Sequence, residues 1–264
     1  MTRTLVSVIT ISFMDPDGLR KTTQSVDEQI GAFDLQHIVV DGGSPGVQDF
    51  LLQRKSKNPN FIGVSEPDCG RYHAMNKGID LAAGDLLWFM HSGDVFSNER
   101  SIATALGRLK DPVNQWGYGY ARLVDQFGEF HGAFGHAPFS LKRYSLGGKS
   151  IPHQAAFFGR AVIDRVGGYD LSHGLAADQL YMLRTAVRSD PVIVPEFLCN
   201  FDISGVGTNR PAWHHFRDMS RARKIAKLQV VNPVVDFTVT VGLTVAIILK
   251  DALAKYARRT RSNN

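Results

Sequence analysis

The chain has 264 residues, of which 44% are hydrophobic and 21% charged, and this ordinary globular composition excludes a wholly disordered or fibrous protein. Its two cysteines cannot form a disulfide framework, and their scarcity fits a reducing compartment. The net charge of +5 is uneven, because residues 210–264 hold 11 Lys and Arg against 3 Asp and Glu, and the other 209 residues carry −3. This distribution argues against a nucleic-acid-binding core and for an anionic surface that meets the C-terminal segment.

The first 94 residues alternate between short apolar runs and stretches with helical spacing. The predicted strands are 6–13, 37–40, 61–64 and 86–90, and the predicted helices are 19–30, 47–57 and 72–83. We expect no secretory signal, since a strand-like run begins at Val6. Strands that alternate with helices form parallel sheets with right-handed crossovers, so the sequence predicts an α/β fold.

Three aspartates follow the predicted strand ends. Ligands of open parallel sheets bind outside the carboxyl ends of the strands, so we expect Asp41, Asp68 and Asp94 to face one cleft. Each also has a structural interpretation: Asp41 and Asp68 suit turns, and Asp94 suits a helix cap. Three structural roles at once are less plausible than a shared site for a cation or for a ligand's hydroxyl and imide groups.

The middle of the chain is less regular. Residues 116–134 are aromatic and glycine-rich, which favours antiparallel strands. Further along, 151–158 and 192–194 are predicted strands, and 161–166 and 177–188 are predicted helices.

Two helices are predicted in the basic C-terminal segment, at 213–231 and 234–249. The second contains one charged residue, and about 17 residues of helix span roughly 25 Å, which is marginal against about 30 Å of hydrocarbon. Asp236, Thr240 and Thr244 form a polar stripe, which suits a helix that lies in a membrane interface or packs on a partner. We expect membrane association, with packing on the rest of the chain or on a second subunit as the alternative.

An ordered set of motifs resembles one enzyme family. The motifs are Asp-Gly-Gly-Ser at 41–44, Glu-Pro-Asp at 66–68, Ala-Met-Asn-Lys-Gly-Ile at 74–79 and Gly-Asp-Leu-Leu-Trp-Phe-Met-His-Ser-Gly-Asp at 84–94. Together they resemble the family 2 glycosyltransferases of the GT-A fold, and most of all the small bacterial branch that builds exopolysaccharides and mycobacterial glycolipids. The resemblance covers about residues 5–208.

The resemblance implies a division of the chain and a set of donor-binding residues. Residues 1–209 would form a GT-A catalytic domain, a Rossmann-like, mostly parallel sheet flanked by helices, and 210–264 a helical, membrane-associating extension. The residues implied in nucleotide-sugar binding are Ser12, Phe13, Asp41, Asp68, Asn76, Ser92, Gly93, Asp94, His153 and Gln154. The pair at 153–154 would bind the diphosphate or shape the acceptor pocket, although a lone histidine in a strand is as often structural.

The family's metal motif, Asp-x-Asp, reads Ser92-Gly-Asp94 in this chain. Asp94 remains as the ligand that the resemblance implies for Mg²⁺ or Mn²⁺, with water completing the coordination. The cation would offset the charge of the leaving diphosphate.

Asp178 in the run Leu-Ala-Ala-Asp-Gln-Leu-Tyr at 175–181 matches the family's general base. The start of a helix favours the ionised carboxylate that a base requires, although Asp178 also suits a simple helix cap. Residues 205–208 resemble a segment that closes over the donor.

The resemblance implies an inverting transfer of a sugar from a UDP- or GDP-linked donor to a hydroxyl of a saccharide or lipid-linked acceptor. It would occur in the cytoplasm, at the inner face of the cell membrane, and a homodimer is left open. A nucleotidyltransferase is disfavoured, because residues 11–18 lack the basic, glycine-rich loop of triphosphate sites. A non-catalytic nucleotide-binding scaffold or membrane adaptor remains the alternative.

Overall fold

The computed structural model describes residues 3–203, 212–228 and 232–262, and in these a nine-stranded sheet is flanked by helices. The strands are β1 (Thr4–Ser12), β2 (Phe33–Asp41), β3 (Phe61–Ser65), β4 (Leu86–Phe89), β5 (Val95–Phe96), β6 (Trp116–Val124), β7 (Phe130–Phe134), β8 (Ala156–Gly159) and β9 (Val192–Asp202). The helices are α1 (Pro16–Asp27), α2 (Val47–Lys57), α3 (Arg71–Leu81), α4 (Ser101–Leu106), α5 (Leu141–Ser145), α6 (Arg160–Val166), α7 (Ala177–Ala186), α8 (Ala212–Ile225) and α9 (Pro233–Ser262).

The sheet has the order β3-β2-β1-β4-β8-β6-β9-β5, with β7 paired to β6. The first four strands are parallel, whereas β8 runs antiparallel to β4, and β6 antiparallel to β8. The predicted α/β fold is confirmed. The antiparallel pairing predicted within 116–134 is that of β6 with β7.

Burial on both faces explains the apolar character of the central strands. Ile9 of β1 packs in the cluster that contains Met75 of α3, while Val8 packs in the cluster with Val26 of α1. A methyl group added at Gly78 of α3 would lie 2.4 Å from Ile9, so glycine allows this helix to approach the sheet closely. β1 and β2 are parallel and covered on both faces, so their carboxyl ends lie at the same edge of the sheet.

The strand predicted at 151–158 is wrong in its first half. A 3₁₀ turn, His153–Ala155, precedes β8, and the N–H of Ala155 donates to the carbonyl of Pro152 at 3.1 Å. Pro152 has no N–H to donate to a neighbouring strand, which favours a turn here. The turn buries the side chains of His153 and Gln154.

The C-terminal helices pack on the body of the protein: α8 contacts α5 and α7, and α9 contacts α8. The polar stripe Asp236, Thr240 and Thr244 is buried. The Asp236 carboxylate pairs with the guanidinium of Arg223 and accepts a hydrogen bond from the Ser220 hydroxyl. The packing alternative thus holds for this face of α9. Across the described ranges, none of the helices combines the length and the apolar character that a membrane crossing requires.

Replacing Asp236 by Ala is expected to destabilise this packing by about 3–5 kcal/mol, because Arg223 would stay buried without its counter-ion. Urea unfolding followed by circular dichroism measures the loss, either overall or as an early transition of α9. Asp164→Ala, at an exposed carboxylate of α6, is the control. Replacing both Arg223 and Asp236 by Leu should recover much of the stability, and a single-variant loss below about 1 kcal/mol would contradict the assignment.

Candidate active site

Ser12, Asp41 and Ser65 are aligned at the carboxyl ends of β1, β2 and β3. The buried Asp41 carboxylate accepts hydrogen bonds from the Gly43 and Ser44 N–H groups and from the Ser44 and Ser65 hydroxyls, at 2.7–3.0 Å. Asp41 therefore fixes the loop at this edge, the structural role considered for it, and its contact with a nucleotide stays a prediction. Ser12 beside it is buried, and its Oγ lacks a hydrogen-bond partner among the described residues.

Phe13 and Asp68 both lie close to the backbone of Gly42. Phe13 is 70% exposed, and a methyl group added at Gly42 would lie 2.8 Å from its ring and 3.3 Å from Asp68 Oδ2. Asp68 Oδ1 accepts a hydrogen bond from the Gly70 N–H at 2.7 Å, which orients the carboxylate. An exposed ring beside a carboxylate suits a planar heterocycle that stacks on the ring and donates an N–H to the oxygen.

Asp94 is a buried carboxylate in the loop between β4 and β5. Its Oδ1 accepts a hydrogen bond from the Asp202 N–H at 2.9 Å, and the Gln154 side chain also hydrogen-bonds to it. Burial raises the pKa of Asp94 to about 7, against these hydrogen bonds and the charge of Lys21, which lower it. Because burial disfavours the ionised form of this carboxyl group, a nearby cation would stabilise that form strongly.

Asp15 is a residue that sequence reasoning missed. It caps α1, where its Oδ1 accepts from the Gly18 N–H at 3.0 Å, and its Oδ2 accepts from the Ser92 hydroxyl at 2.7 Å. Ser92 occupies the first position of the Asp-x-Asp motif, so Asp15 brings a carboxylate next to the position where the motif lacks one. The signal in the sequence was Asp15 itself, directly after the first strand.

Gly93 lies near two carboxylates. A methyl group at this glycine, whose φ is 93°, would lie 3.9 Å from Asp15 Oδ2 and 4.0 Å from Asp202 Oδ2. Asp15 and Asp202 thus bring two carboxylates near the Ser92-Gly-Asp94 motif, although Asp15, Asp94 and Asp202 do not lie within 4.8 Å of one another as a set of three. A hard divalent cation that takes one or two carboxylates and completes its shell with water and phosphate oxygens suits this neighbourhood, with Asp94 as a ligand. Sequence analysis did not predict Asp202.

Another acidic group lies on the β6–β7 hairpin. Among the residues described, only Asp125, Glu129 and His131 form a set of three potential ligands within 4.8 Å. The Asp125 carboxylate accepts from the N–H groups of Phe127 and Glu129 and bonds to His131 at 2.8 Å, which are contacts of the turn itself.

His153 and Gln154 extend the site inward from Asp94. His153 Nε2 is 2.7 Å from the Tyr169 hydroxyl, and Gln154 Nε2 is 3.3 Å from His91 Nδ1. Burial lowers the pKa of both histidines, so they are neutral near pH 7 and supply hydrogen bonds rather than positive charge. Their rings lie 5.5 Å apart.

Asp178 lies in the first turn of α7, whose cap residue is Ala176. Its Oδ1 accepts from the Tyr72 hydroxyl at 3.2 Å and from the Gln179 N–H at 2.8 Å. Burial raises the pKa of Tyr72, so this phenol remains a donor. These two contacts orient the carboxylate, and Asp178 is partly exposed.

Tyrosine rings support this end of the site. Tyr72 stacks on Tyr169 at 5.6 Å between centroids, and Tyr169 on Tyr181 at 4.4 Å. Asn76 holds this stack, since its amide donates to the Tyr169 carbonyl at 3.0 Å and accepts from its N–H at 2.7 Å. The predicted contact of Asn76 with a nucleotide stays a prediction beside this structural role.

The structure thus brings most of the predicted residues into one series along the sheet edge, although not into one contact group. Phe13 and Asp68 meet at Gly42, and Asp94 hydrogen-bonds to Gln154, which contacts His91. His153 bonds to Tyr169, which stacks on Tyr72, the hydrogen-bond partner of Asp178. The closing segment predicted at 205–208 lies outside the described residues.

The family model of glycosyl transferase family 2 matches residues 7–158, more than half of the chain. The chain belongs to this family. A PGL/p-HBAD biosynthesis glycosyltransferase of Mycobacterium bovis is 27% identical to this family 2 transferase over 168 residues, 62% of each chain. An uncharacterized glycosyltransferase of Mycobacterium tuberculosis is 46% identical to it over 220 residues, 82% of each chain. The protein is therefore a glycosyltransferase.

Solved structures share the fold of this family 2 transferase. Staphylococcus aureus TarS in complex with UDP-GlcNAc has a TM-score of 0.64 at 13% identity, over 91% of this chain and 70% of that one. The mannosyltransferase PcManGT of Pyrobaculum calidifontis, in complex with GDP-Man and Mn²⁺, has a TM-score of 0.61 at 20% identity, over 98% and 81%. These likenesses confirm the GT-A fold.

Proposed function

We propose that this glycosyltransferase transfers a sugar from a nucleoside-diphosphate donor to a hydroxyl of a saccharide or glycolipid acceptor, with inversion at the anomeric carbon. The observation that carries the proposal is the set of side chains at the carboxyl edge of the sheet. It combines an exposed ring beside a carboxylate, which suits a nucleobase, with the oriented carboxylate of Asp178. The complexes of TarS with UDP-GlcNAc and of PcManGT with GDP-Man favour a UDP- or GDP-linked donor.

The base of the nucleotide stacks on Phe13 and donates its imide N–H to Asp68 in this proposal. Ser12 and Asp41 complete the nucleotide side of the cleft, and Asn76, which holds the Tyr169 backbone, faces the nucleotide from the side of the tyrosine stack. The diphosphate lies near Ser92, Gly93 and Asp94, beside the neutral amide and imidazole of Gln154 and His153.

A divalent cation, Mg²⁺ or Mn²⁺, would be bound by Asp94, with Asp15 or Asp202 as a second carboxylate and water completing its shell. The presence of Mn²⁺ in the PcManGT complex supports this proposal. When bound, the cation would neutralise charge on the leaving diphosphate.

The transfer is a single displacement in which Asp178 acts as the general base. The acceptor oxygen bonds to the anomeric carbon as the bond from that carbon to the diphosphate oxygen breaks, and the hydroxyl proton goes to Asp178. Tyr72 and the Gln179 N–H hold the carboxylate for this step. The covered core around Tyr169 excludes water from one side of the reacting groups.

The extension has a role of its own in this proposal. Residues 1–209 form the catalytic domain, and residues 210–264 meet an anionic membrane surface at the inner face of the cell membrane, where lipid-linked acceptors are available. A homodimer is compatible with the same arrangement.

Incubating the purified protein with UDP- and GDP-sugars, Mn²⁺ and saccharide or glycolipid acceptors tests the proposal. Nuclear magnetic resonance of the product should give the anomeric configuration opposite to that of the donor. A retained configuration would contradict the single displacement. Donor binding without turnover across the acceptors would favour the nucleotide-binding scaffold instead.

Replacing Asp68 by Ala is expected to weaken nucleoside-diphosphate binding by about 1–3 kcal/mol, because the imide N–H would lose its charged acceptor. Isothermal titration calorimetry with UDP and GDP measures the change. Asp17→Ala, at an exposed carboxylate of α1, is the matched control and should bind as the wild type does. Unchanged affinity in folded Asp68→Ala would remove Asp68 from the site.

A further inference from the structure

Helix α9 presents its apolar side outward and its polar side inward. The stripe Asp236, Thr240 and Thr244 is buried, and α9 contacts α8. The exposed apolar side chains of α9 are Val234, Val235, Phe237, Val245, Ile247, Ile248, Leu249 and Leu253. At about 1.5 Å per residue they extend over nearly 30 Å of the helix. A surface of this kind on a folded protein marks a binding partner.

A basic row on α8 borders this apolar surface. Arg217, Arg221 and Lys224 recur at helical spacing and are exposed. They line a cleft of about 270 Å³ between the two helices, together with Trp213 and Phe237. Two acidic groups are close. Asp218, itself buried, lies 3.6 Å from Arg217, and the Asp236 carboxylate at the cleft is paired with Arg223.

We propose that α8 and α9 form a docking surface for an anionic bilayer, in which the cleft takes lipid phosphate groups and the outward side of α9 enters the interface. The inference rests on the proposed membrane contact and names its residues and its orientation. Trp213 and Phe237 then lie at headgroup depth, where aromatic side chains are favoured. Lys and Arg at the border neutralise the phosphates.

Charge decides between a bilayer and a second copy of the chain. Two copies joined through this surface would bring their basic rows together, and the C-terminal end of α9 adds Lys255, Arg258, Arg259 and Arg261 in sequence. An anionic bilayer offers the opposite charge along the same border. The buried polar stripe also fixes which side of α9 faces out, so the helix lies along the surface rather than across it.

The docking surface is connected to the candidate base through α5. Arg223, which holds Asp236 of α9, also donates to the carbonyl of Ser145 at the end of α5. The neighbouring Tyr144 donates its hydroxyl toward Gln179, the residue after Asp178, at 3.1 Å. An acceptor held at the bilayer would therefore be presented in a fixed relation to Asp178.

Vesicle binding tests the docking surface in the absence of a sugar donor. A negative result therefore says nothing about sugar transfer, and a negative transfer assay says nothing about the docking surface. The full-length protein is mixed with vesicles of phosphatidylcholine alone or with phosphatidylglycerol added. Of the three tryptophans, Trp88 and Trp116 are fully buried and Trp213 is 38% exposed. Quenching of tryptophan emission by brominated lipid therefore reports on the cleft, and co-sedimentation reports the bound fraction.

The variant Arg221→Glu/Lys224→Glu tests the basic row, and Val245→Asp/Leu249→Asp tests the outward face of α9. Lys55→Glu/Lys57→Glu on α2 makes the same charge change at exposed sites elsewhere and is the control. We expect the wild type and the control to bind anionic vesicles at least about tenfold more tightly than neutral ones. Each test variant should lose at least about tenfold, and added salt should weaken wild-type binding.

Several results would overturn the proposal. Equal binding to neutral and anionic vesicles would show that the basic row does not contribute to binding. An equal loss of binding in the control variant would show that net charge, and not this surface, determines binding. Absence of binding by the wild type would reject the bilayer. If the wild type does not bind vesicles, and light scattering shows that it is a dimer and that Val245→Asp/Leu249→Asp is a monomer, the surface binds a second copy of the chain. Circular dichroism verifies that each variant is folded.

Discussion

Asp178→Asn is expected to lower the rate of sugar transfer by about 10²–10⁴-fold and to leave donor affinity near that of the wild type. Asparagine retains an oxygen that can accept from Tyr72 and from the Gln179 N–H, so the start of α7 should keep its structure. It cannot take a proton from the acceptor. The loss should therefore appear in kcat and not in the dissociation constant of the nucleotide.

Single-turnover transfer and calorimetry with the same preparation separate these two quantities. Asp190→Asn, at an exposed carboxylate beyond the end of α7, is the matched control and should transfer at the wild-type rate. If Asp178→Asn transfers at close to the normal rate, the general base lies elsewhere in the cleft. A wild type that binds donor but gives no turnover with any acceptor would favour the scaffold.

Local patterns predicted the elements of the parallel half of the sheet. The apolar run ending at Phe13 became β1, and the helix predicted at 47–57 has those bounds in α2. These elements are predicted from periodicity and from flanking turn residues, and both are local features of the sequence. The three strand-end aspartates were found for the same reason, since the edge of a parallel sheet follows from the order of its strands.

Contacts between distant segments could not be predicted from these patterns. Asp202 meets Asp94 only because β9 pairs with the short strand β5. Asp15 reaches Ser92 because the start of α1 lies beside the end of β4. The strand pairings and the burial of a particular loop decide both contacts, and neither is set by spacing in the chain.

The C-terminal helices illustrate the same limit. The polar stripe of α9 was recognised, but its partner was not, because the Arg223–Asp236 pair becomes visible only when α8 is packed. A polar stripe on an apolar helix is compatible with water, with a headgroup region or with a protein. Because Arg223 is the buried counter-ion of Asp236, the polar stripe faces protein and the apolar side of α9 faces outward.

Asp94→Asn is expected to abolish Mn²⁺-dependent transfer and to remove the response of the fold to Mn²⁺. The carboxylate is the one member of the Asp-x-Asp motif that remains, and an amide oxygen carries no charge to hold the cation. A transfer assay with and without chelator measures the first effect. Full activity of the wild type in excess chelator would mean that the site with Ser92 works without a metal.

The pH dependence gives a sharper measurement. Burial raises the pKa of Asp94 to about 7, above its value in the unfolded chain. The protonated group therefore contributes to the stability of the metal-free fold, and this contribution is fully present below the unfolded pKa. That contribution is lost as pH rises through about 7, where the buried carboxylate ionises. Mn²⁺ binds the ionised form, so its affinity should rise with pH up to this value, by as much as about tenfold per unit.

Thermal unfolding with and without Mn²⁺, from about pH 5 to about pH 8, measures this linkage directly. In the wild type, the rise in Tm caused by Mn²⁺ should grow across this range and level off above pH 7. In Asp94→Asn it should stay near zero at every pH. The control is Asp125→Asn, which alters the exposed acidic group of the β6–β7 hairpin and should leave the wild-type profile unchanged. If that variant loses the response and Asp94→Asn keeps it, the cation binds at the hairpin and the strand-end carboxylates serve the nucleotide without a metal.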